Sequence, residues 1–249
     1  MDKVIQGILK FQNTVRPSLL PTLKKLANKA EPQVLFVSCM DSRIVPDIYT
    51  TSSPGHMFVI RNAGNFVPHA RLFGSPGHAY SEHAALKLAV TKSNVKHVAV
   101  CGHSNCKAME GLYESSCSGS PKQENDSALE NWIKTHGQSS ITKLDQLMIQ
   151  EGKPVHLVFG EESEPDKIEA IIDKDDKLEP IDKLSQINVL QQLHNIRSYS
   201  FVRERLRSKE LQLHALWFDI GDGQMFLFSR QNKAFKPVNE NTLKTYFDA

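Results

Sequence analysis

Short, nearly continuous apolar segments alternate along the chain with longer segments whose apolar residues repeat at helical spacing. Each apolar run has the length and continuity of a strand that is covered on both faces. The runs lie at residues 33–38, 57–60, 95–101, 154–159 and 211–218. Because strands that alternate with helices build parallel sheets, the pattern predicts an α/β fold with a mostly parallel central sheet flanked by helices.

The helical segments are recognised by apolar residues three or four positions apart, which places those residues on one face of a helix. Predicted helices cover residues 2–13, 18–29, 77–92, 104–114, 128–150 and 181–207. A Gly-Asp-Gly turn at residues 221–223 followed by the apolar residues 225–228 predicts a closing hairpin. Residues 115–127 are predicted to form a polar loop, and the strongly acidic residues 161–180 a solvent-exposed segment.

The chain length of 249 residues is typical of one large domain or two small ones, and no internal repeat divides it. We expect a single domain over residues 1–249. Within it, residues 1–32 form an N-terminal helical arm, and residues 33–249 form the α/β core.

The charge balance favours a small partner, because 30 Lys and Arg residues against 28 Asp and Glu residues give a net charge of only +2. A nucleic-acid partner is therefore not expected. The apolar runs are far shorter than the roughly 20 residues that a membrane helix requires, and residues 1–30 contain no apolar stretch of secretory length, so export is not expected. We expect a cytoplasmic protein. Mitochondrial import is the alternative, because residues 1–30 contain six basic residues and one acidic residue.

Potential metal ligands follow two of the predicted strands. Cys39 follows the first run and begins the sequence Cys39-Met-Asp41-Ser-Arg43, whereas His103 and Cys106 follow the third run. Carboxyl ends of parallel strands meet at the edge of the sheet where ligands bind. We place His103 and Cys106 on one face of the helix that is predicted to begin directly after the third run. Two thiolates and an imidazole suit Zn²⁺ and leave its fourth position open, as in catalytic zinc sites.

A different reading of the cysteines remains open, since a buried cysteine at a strand end often serves as a small apolar residue. Cys101 competes with Cys39 and Cys106 as a ligand, although its side chain is expected in the strand core. Cys117 is expected to be an exposed thiol in the polar loop.

Taken together, these motifs resemble those of the β-class carbonic anhydrases, and most closely the animal branch of that family. The resemblance is firm over residues 33–110 and looser up to the C-terminal strands. The similar segments are Cys39-x-Asp41-x-Arg43, Arg61-Asn-Ala-Gly64-Asn65, His103-x-x-Cys106 and Leu213-His-Ala-Leu-Trp217.

The resemblance implies a zinc lyase that interconverts CO₂ with bicarbonate and a proton. It implies that Asp41 orients the attacking hydroxide and that Arg43 pairs with Asp41 and keeps it off the metal. By family position, Phe58 and Ala63 would form the apolar wall for CO₂, and Gly64 would let the backbone approach the substrate.

The resemblance also implies a homodimer or a homotetramer in which the N-terminal helices pack on a neighbouring subunit. Two other functions remain open. One is a non-catalytic zinc-binding scaffold or regulator, which would not need Asp41 and Arg43. The other is a zinc hydrolase of a related heterocumulene such as CS₂ or COS.

Overall fold

The computed structural model describes residues 1–73, 81–118, 126–149, 155–161 and 166–242, which contain eight strands and eight α-helices. The strands are β1 (Val34–Cys39), β2 (Met57–Asn62), β3 (His97–His103), β4 (His156–Phe159), β5 (Ile168–Ile171), β6 (Gln212–Asp219), β7 (Gln224–Ser229) and β8 (Ala234–Pro237). The helices are α1 (Asp2–Lys10), α2 (Arg16–Asn28), α3 (Pro46–Tyr49), α4 (Ser81–Lys87), α5 (Lys107–Cys117), α6 (Ala128–Ile149), α7 (Pro180–Arg197) and α8 (Ser200–Arg207).

Six strands form the central sheet in the order β2-β1-β3-β6-β7-β8. The first four are parallel, and β7 and β8 are antiparallel to their neighbours, which confirms the predicted mostly parallel sheet and the closing hairpin. The chain passes from β1 to β2 on one side and to β3 on the other. The carboxyl ends of β1 and β3 therefore flank the point where strand order reverses, which is where open α/β sheets bind ligands.

The core lies mainly on one face of the sheet, because alternate side chains of each strand point to opposite faces. Leu35 and Val37 of β1 belong to the large buried cluster beneath the helices, whereas Phe36 belongs to a small cluster on the other face. Helix α7 contacts β3 and β6 and is buried along nearly its whole length. Ala99 and Cys101 are buried beside Phe36, but the six apolar residues packed around them are only partly buried, so this second face of the sheet has little cover among the described residues.

The N-terminal region differs from the prediction of two separate helices. A π-helical turn at Phe11–Val15 joins α1 to α2, so the helical backbone runs on from Asp2 to Asn28. Pro17 lies in the first turn of α2, directly after the π-helical turn, so its missing N–H falls at the junction between the two helices. Pro21 is accommodated inside α2, on a segment without a buried residue, where water can reach the backbone.

Three other predictions needed correction. The run at 154–159 does not join the central sheet, because β4 pairs with β5 in a separate antiparallel sheet. Strand β5 lies inside the acidic segment predicted to be solvent-exposed, and it buries Ile168 and Ala170 by alternating apolar with other residues. The helix predicted over 181–207 is two helices, since Tyr199 between α7 and α8 has an extended backbone.

Some predictions fall partly outside the described residues, namely the start of the helix over 77–92, part of the loop over 115–127 and the beginning of the run at 154–159. Cys117 is the exposed last residue of α5 and not a loop residue. No helix among the described residues is long and apolar enough to cross a membrane.

Two histidines pair across neighbouring strands near the amino ends of β3 and β6. His97 Nδ1 lies 3.0 Å from His214 Nε2. Burial, and then the neighbouring His97, lowers the pKa of His214 from 6.5 to about 4. Between these two pH values the unfolded chain binds a proton that the native protein does not bind. The contribution of His214 to stability is therefore complete above pH 6.5 and is lost as the pH falls toward 4.

We expect the free energy of unfolding of the His214→Gln variant to fall less steeply than that of the wild type between pH 7 and pH 4.5. The expected difference is about 2 kcal/mol over this range, and urea denaturation at a series of pH values measures it. His56→Gln, which changes an exposed histidine, is the control and should keep the wild-type slope. Parallel curves for all three proteins would contradict the assignment.

Candidate metal centre

Cys39, His103 and Cys106 form a buried cluster at the carboxyl edge of the sheet. Their ligand atoms all lie within 4.8 Å of one another, and the two sulfur atoms are 3.9 Å apart. Cys39 ends β1 and His103 ends β3, so parallel pairing of these strands brings the two residues together. Cys101 lies two residues before His103 in β3. It is buried but is not part of the cluster.

The way in which His103 and Cys106 converge differs from the prediction that both lie on one helix face. His103 belongs to the strand, and Cys106 precedes the first residue of α5 with an extended backbone. Between them, Asn105 adopts a left-handed conformation with φ of 54°. This tight turn brings the Cys106 sulfur back toward the strand end.

The imidazole of His103 is oriented as a metal ligand. Its Nδ1 lies 2.8 Å from the backbone carbonyl of Ser104, which fixes Nδ1 as the N–H donor. Its Nε2 is buried and has no hydrogen-bond partner among the described residues. A buried nitrogen with a free lone pair, beside two thiols, fits a bound metal ion.

The surroundings of the two sulfurs stabilise negative charge on Cys39 and disfavour it on Cys106. Contact with the Cys106 thiol, and then with His103, lowers the pKa of Cys39, and the backbone N–H groups of Gly64 and Asp41 lower it further. Contact with Cys39, together with burial, raises the pKa of Cys106, although N–H groups at the start of α5 oppose this rise. A cation bound between the sulfurs would relieve the repulsion between two thiolates and so favour ionisation of both.

Asp41 and Arg43 form a bidentate ion pair beside the cluster. Arg43 donates from Nε to Asp41 Oδ1 at 3.0 Å and from Nη2 to Oδ2 at 2.7 Å. The backbone N–H of Arg43 also donates to Oδ1, and Nη2 donates to the carbonyl of Asn105. The Arg43 guanidinium holds the pKa of Asp41 well below its usual range, so this carboxylate is ionised throughout the neutral pH range.

Arg61 supports the same loop from β2, a role that the sequence analysis did not assign. Its Nε donates to the carbonyl of Cys39 at 3.0 Å and its Nη2 to the carbonyl of Asp41 at 2.7 Å. The guanidinium thereby fixes the backbone on both sides of Met40, between the cluster cysteine and the carboxylate.

The three residues predicted to line the substrate pocket occupy different places. Phe58 pairs with Leu35, four residues before Cys39, which is about 13 Å along the strand from the cluster. The structure therefore does not bring Phe58 to the metal ligands. Ala63 follows the carboxyl end of β2, and its carbonyl accepts a hydrogen bond from Trp132 Nε1 at 2.8 Å.

Gly64 lies against the cluster. Its φ of 82° lies in the left-handed region, and a side chain there would collide with the Phe66 ring. This conformation directs the Gly64 N–H at the Cys39 sulfur, while the Gly64 carbonyl accepts from Asn188 Nδ2 at 2.9 Å. The Gly64 backbone thus closely approaches the Cys39 sulfur, and its approach to a substrate stays a prediction.

A row of polar residues on the buried face of α7 holds the two loops of the site. Ser185 Oγ donates to the carbonyl of His103 at 2.8 Å, and Asn188 bonds Gly64. Farther along, Gln192 and Asn195 bond the backbone of Val67. These residues were not predicted from the sequence. Their spacing of three, four and three positions is the signal that could have found them, because it places polar groups on one helix face.

Asp182, at the start of α7, fixes the turn between His103 and Cys106. Its carboxylate accepts from the backbone N–H of Asn105 at 2.7 Å, and burial raises its pKa. Ser104, the other residue of the turn, donates to Asp219 of β6 at 3.0 Å. Residues distant in sequence therefore stabilise the strained turn that presents Cys106.

Comparisons with known proteins agree with this geometry. A family model described as carbonic anhydrase matches residues 34–225, which include the whole cluster. The chain is 40% identical over 248 residues to beta carbonic anhydrase 1 of Caenorhabditis elegans, covering 98% of this chain and 90% of that protein. It is 31% identical over 240 residues to a carbonic anhydrase of Synechococcus elongatus, covering 96% and 76% of the two chains. The solved structure of the beta-carbonic anhydrase CcaA superposes with a TM-score of 0.76 at 27% identity, covering 96% and 92%.

Proposed function

Because the chain belongs to the β-class carbonic anhydrase family, we propose that it binds Zn²⁺ through Cys39, His103 and Cys106 and reversibly hydrates CO₂ to bicarbonate and a proton. The buried Cys-His-Cys cluster supports this proposal most directly. Its donor set suits zinc, and three ligands leave one position for chemistry. When bound, zinc supplies the Lewis acidity that brings the pKa of a water molecule to about 7.

Asp41 and Arg43 are proposed to position the attacking water. An ionised carboxylate can only accept hydrogen bonds, so Asp41 would accept one from the nucleophile and direct its lone pair toward the carbon of CO₂. Arg43 keeps that carboxylate in one orientation, because two side-chain hydrogen bonds and one backbone bond fix it. We propose that Ala63 and Gly64, at the end of β2, bound the space for CO₂, with Phe58 packed farther back along the strand.

We propose that the active form is a homodimer or homotetramer in which α1 packs on a second copy of the chain. No residue of α1 or of the following π-helical turn is buried, although Val4, Ile5, Ile8 and Leu9 form an apolar row, each at least half exposed. Helix α2 stays attached to its own subunit, since Leu26 packs on Gly55. The weakly covered face of the sheet offers a matching apolar surface.

Deletion of residues 1–15 is expected to convert the oligomer into monomers or aggregates and to lower kcat/KM at least about tenfold, because it removes the apolar row and keeps α2. Light scattering coupled to size exclusion measures the change. The variant Lys3→Gln, which alters an exposed polar position of α1 and leaves the apolar row intact, is the control. A monomeric truncation with full activity would disprove the proposed role of α1.

Stopped-flow CO₂ hydration with metal content measured on the same sample tests the proposed reaction. One zinc per chain together with hydration supports it, whereas zinc without hydration would favour the non-catalytic scaffold. Parallel assays with CS₂ and COS test whether the protein is instead a hydrolase of these heterocumulenes. An enzyme specific for those compounds would consume them and leave CO₂ unchanged.

A further inference from the structure

The structure contains a second concave site that the proposed reaction does not use. It is a cavity of about 640 Å³ between the segment after β2, α6, the end of β4, α7 and α8. Neither the cluster residues nor Asp41 and Arg43 line it. Its volume falls within the range of about 300–1,000 Å³ that is usual for small-molecule sites.

The lining of this cavity is strongly basic. Its basic members come from four different parts of the fold and are His69, Arg71, Lys143, His194, Arg197 and Arg203. Glu161 is the only acidic residue among the lining residues that the structure describes. Arg197 also pairs with the exposed Asp166. Among the residues that the structure describes, the four Lys and Arg side chains of the lining outnumber these two carboxylates.

Arg71 and Arg203 are the cations best placed to receive a ligand. Both are exposed, and neither guanidinium has an ion pair or a hydrogen bond among the described residues. One comes from the segment after β2 and the other from α8, so they approach the cavity from different elements. Guanidinium groups bind phosphate and carboxylate oxygens in a bidentate manner.

Two further groups show how closely the basic side chains approach one another and the cavity wall, and the Lys143 ammonium donates a hydrogen bond to the carbonyl of Val158. Burial lowers the pKa of His69, and the positive charges of Arg71, His194 and Arg203 lower it further. Lys143 is partly buried at the cavity, where its ammonium lies 4.8 Å from the centre of the Phe159 ring. Holding several cations around one space costs electrostatic free energy, which an anion bound among them would recover.

We infer that this cavity binds a small organic molecule that carries phosphate groups. Three arginines and one lysine from separate elements suit a ligand of several negative charges better than they suit monovalent bicarbonate. The large volume leaves space for an organic body between the charged groups. This inference does not depend on the proposed function, because the cavity shares no lining residue with the metal centre.

Isothermal titration calorimetry of the full-length, metal-loaded protein with fructose 1,6-bisphosphate and with inorganic phosphate as probes tests the inference. We expect saturable binding of the bisphosphate at one site per chain, tighter than that of inorganic phosphate. Arg71→Gln and Arg203→Gln should each raise the Kd about fivefold or more, because each removes a bidentate contact. The matched control Arg207→Gln, which changes an exposed arginine of α8 outside the cavity, should stay within about twofold.

A competition experiment distinguishes binding in the cavity from binding at the metal centre. Bicarbonate at a concentration that saturates the enzyme should leave the bisphosphate titration unchanged at constant ionic strength. The inference is overturned if no saturable binding occurs up to about 10 mM bisphosphate, a limit beyond which affinity is negligible. It is equally overturned if Arg207→Gln weakens binding as much as Arg71→Gln does, or if bicarbonate displaces the bisphosphate.

Discussion

Replacing Cys106 with alanine is expected to release the metal ion and to reduce CO₂ hydration at least about a thousandfold, to the level without enzyme catalysis. The remaining two ligands cannot hold zinc in a closed coordination shell, and the metal contributes part of the folding free energy. Metal analysis after dialysis, stopped-flow kinetics and thermal unfolding measure the three consequences. Cys39→Ala and His103→Ala should behave in the same way, because all three side chains meet in one cluster.

The other two cysteines provide matched controls for this experiment. Cys101→Ala removes a buried thiol that lies outside the cluster, and Cys117→Ser changes an exposed one. Both variants should retain one zinc per chain and nearly full activity. Stoichiometric, tightly held zinc in Cys106→Ala, or loss of zinc in either control, would refute the ligand assignment.

The second large effect is expected at the ion pair beside the cluster. Asp41→Asn should retain zinc and lose at least about a hundredfold in kcat/KM at every pH, because the amide cannot replace the ionised acceptor. Arg43→Ala should lose most activity at pH 7 and recover part of it above pH 8. Without Arg43 the carboxylate is free to compete with hydroxide for the metal, and hydroxide becomes more abundant as the pH rises.

These two pH–rate profiles differ in shape, so they separate a catalytic pair from a structural one. Arg207→Ala, at an exposed arginine distant from the pair in the chain, is the charge-matched control for Arg43→Ala and should follow the wild-type profile. If Arg43→Ala runs parallel to the wild type and Asp41→Asn turns over normally, the pair serves only to stabilise its loop.

The parallel strands of the central sheet were predictable because each has a nearly continuous apolar run, which is most fully buried in β1 and β3. Strands β5 and β8 were not predictable in this way. Strand β5 has four residues and lies inside an acidic segment, and β8 ends in Lys236 and Pro237, so neither has a continuous apolar run. Strand β4 pairs with β5, and because β5 was not predicted, β4 was wrongly assigned to the central sheet.

The candidate ligands could be selected from sequence because cysteine and histidine are uncommon and stand at the ends of predicted strands. The local geometry of the site could not be predicted, because the left-handed turn at Asn105 is held by Asp182, which lies 77 residues farther along the chain. The polar row of α7 was overlooked for a related reason. Polar residues in helices usually face water, and only the packed structure shows that Ser185 and Asn188 face the site.

The long sequence separation between the parts of the site determines when during folding a metal ion can bind. The two cluster cysteines are 67 residues apart, and Asn188 reaches back 124 residues to hold Gly64. A nascent or collapsed chain that has not yet docked α7 therefore lacks a preformed coordination shell. Contacts of such long range form late, because closing each loop costs entropy before the contact is gained. Metal binding in this protein should therefore stabilise a sheet that has already assembled and should not be needed to start its assembly.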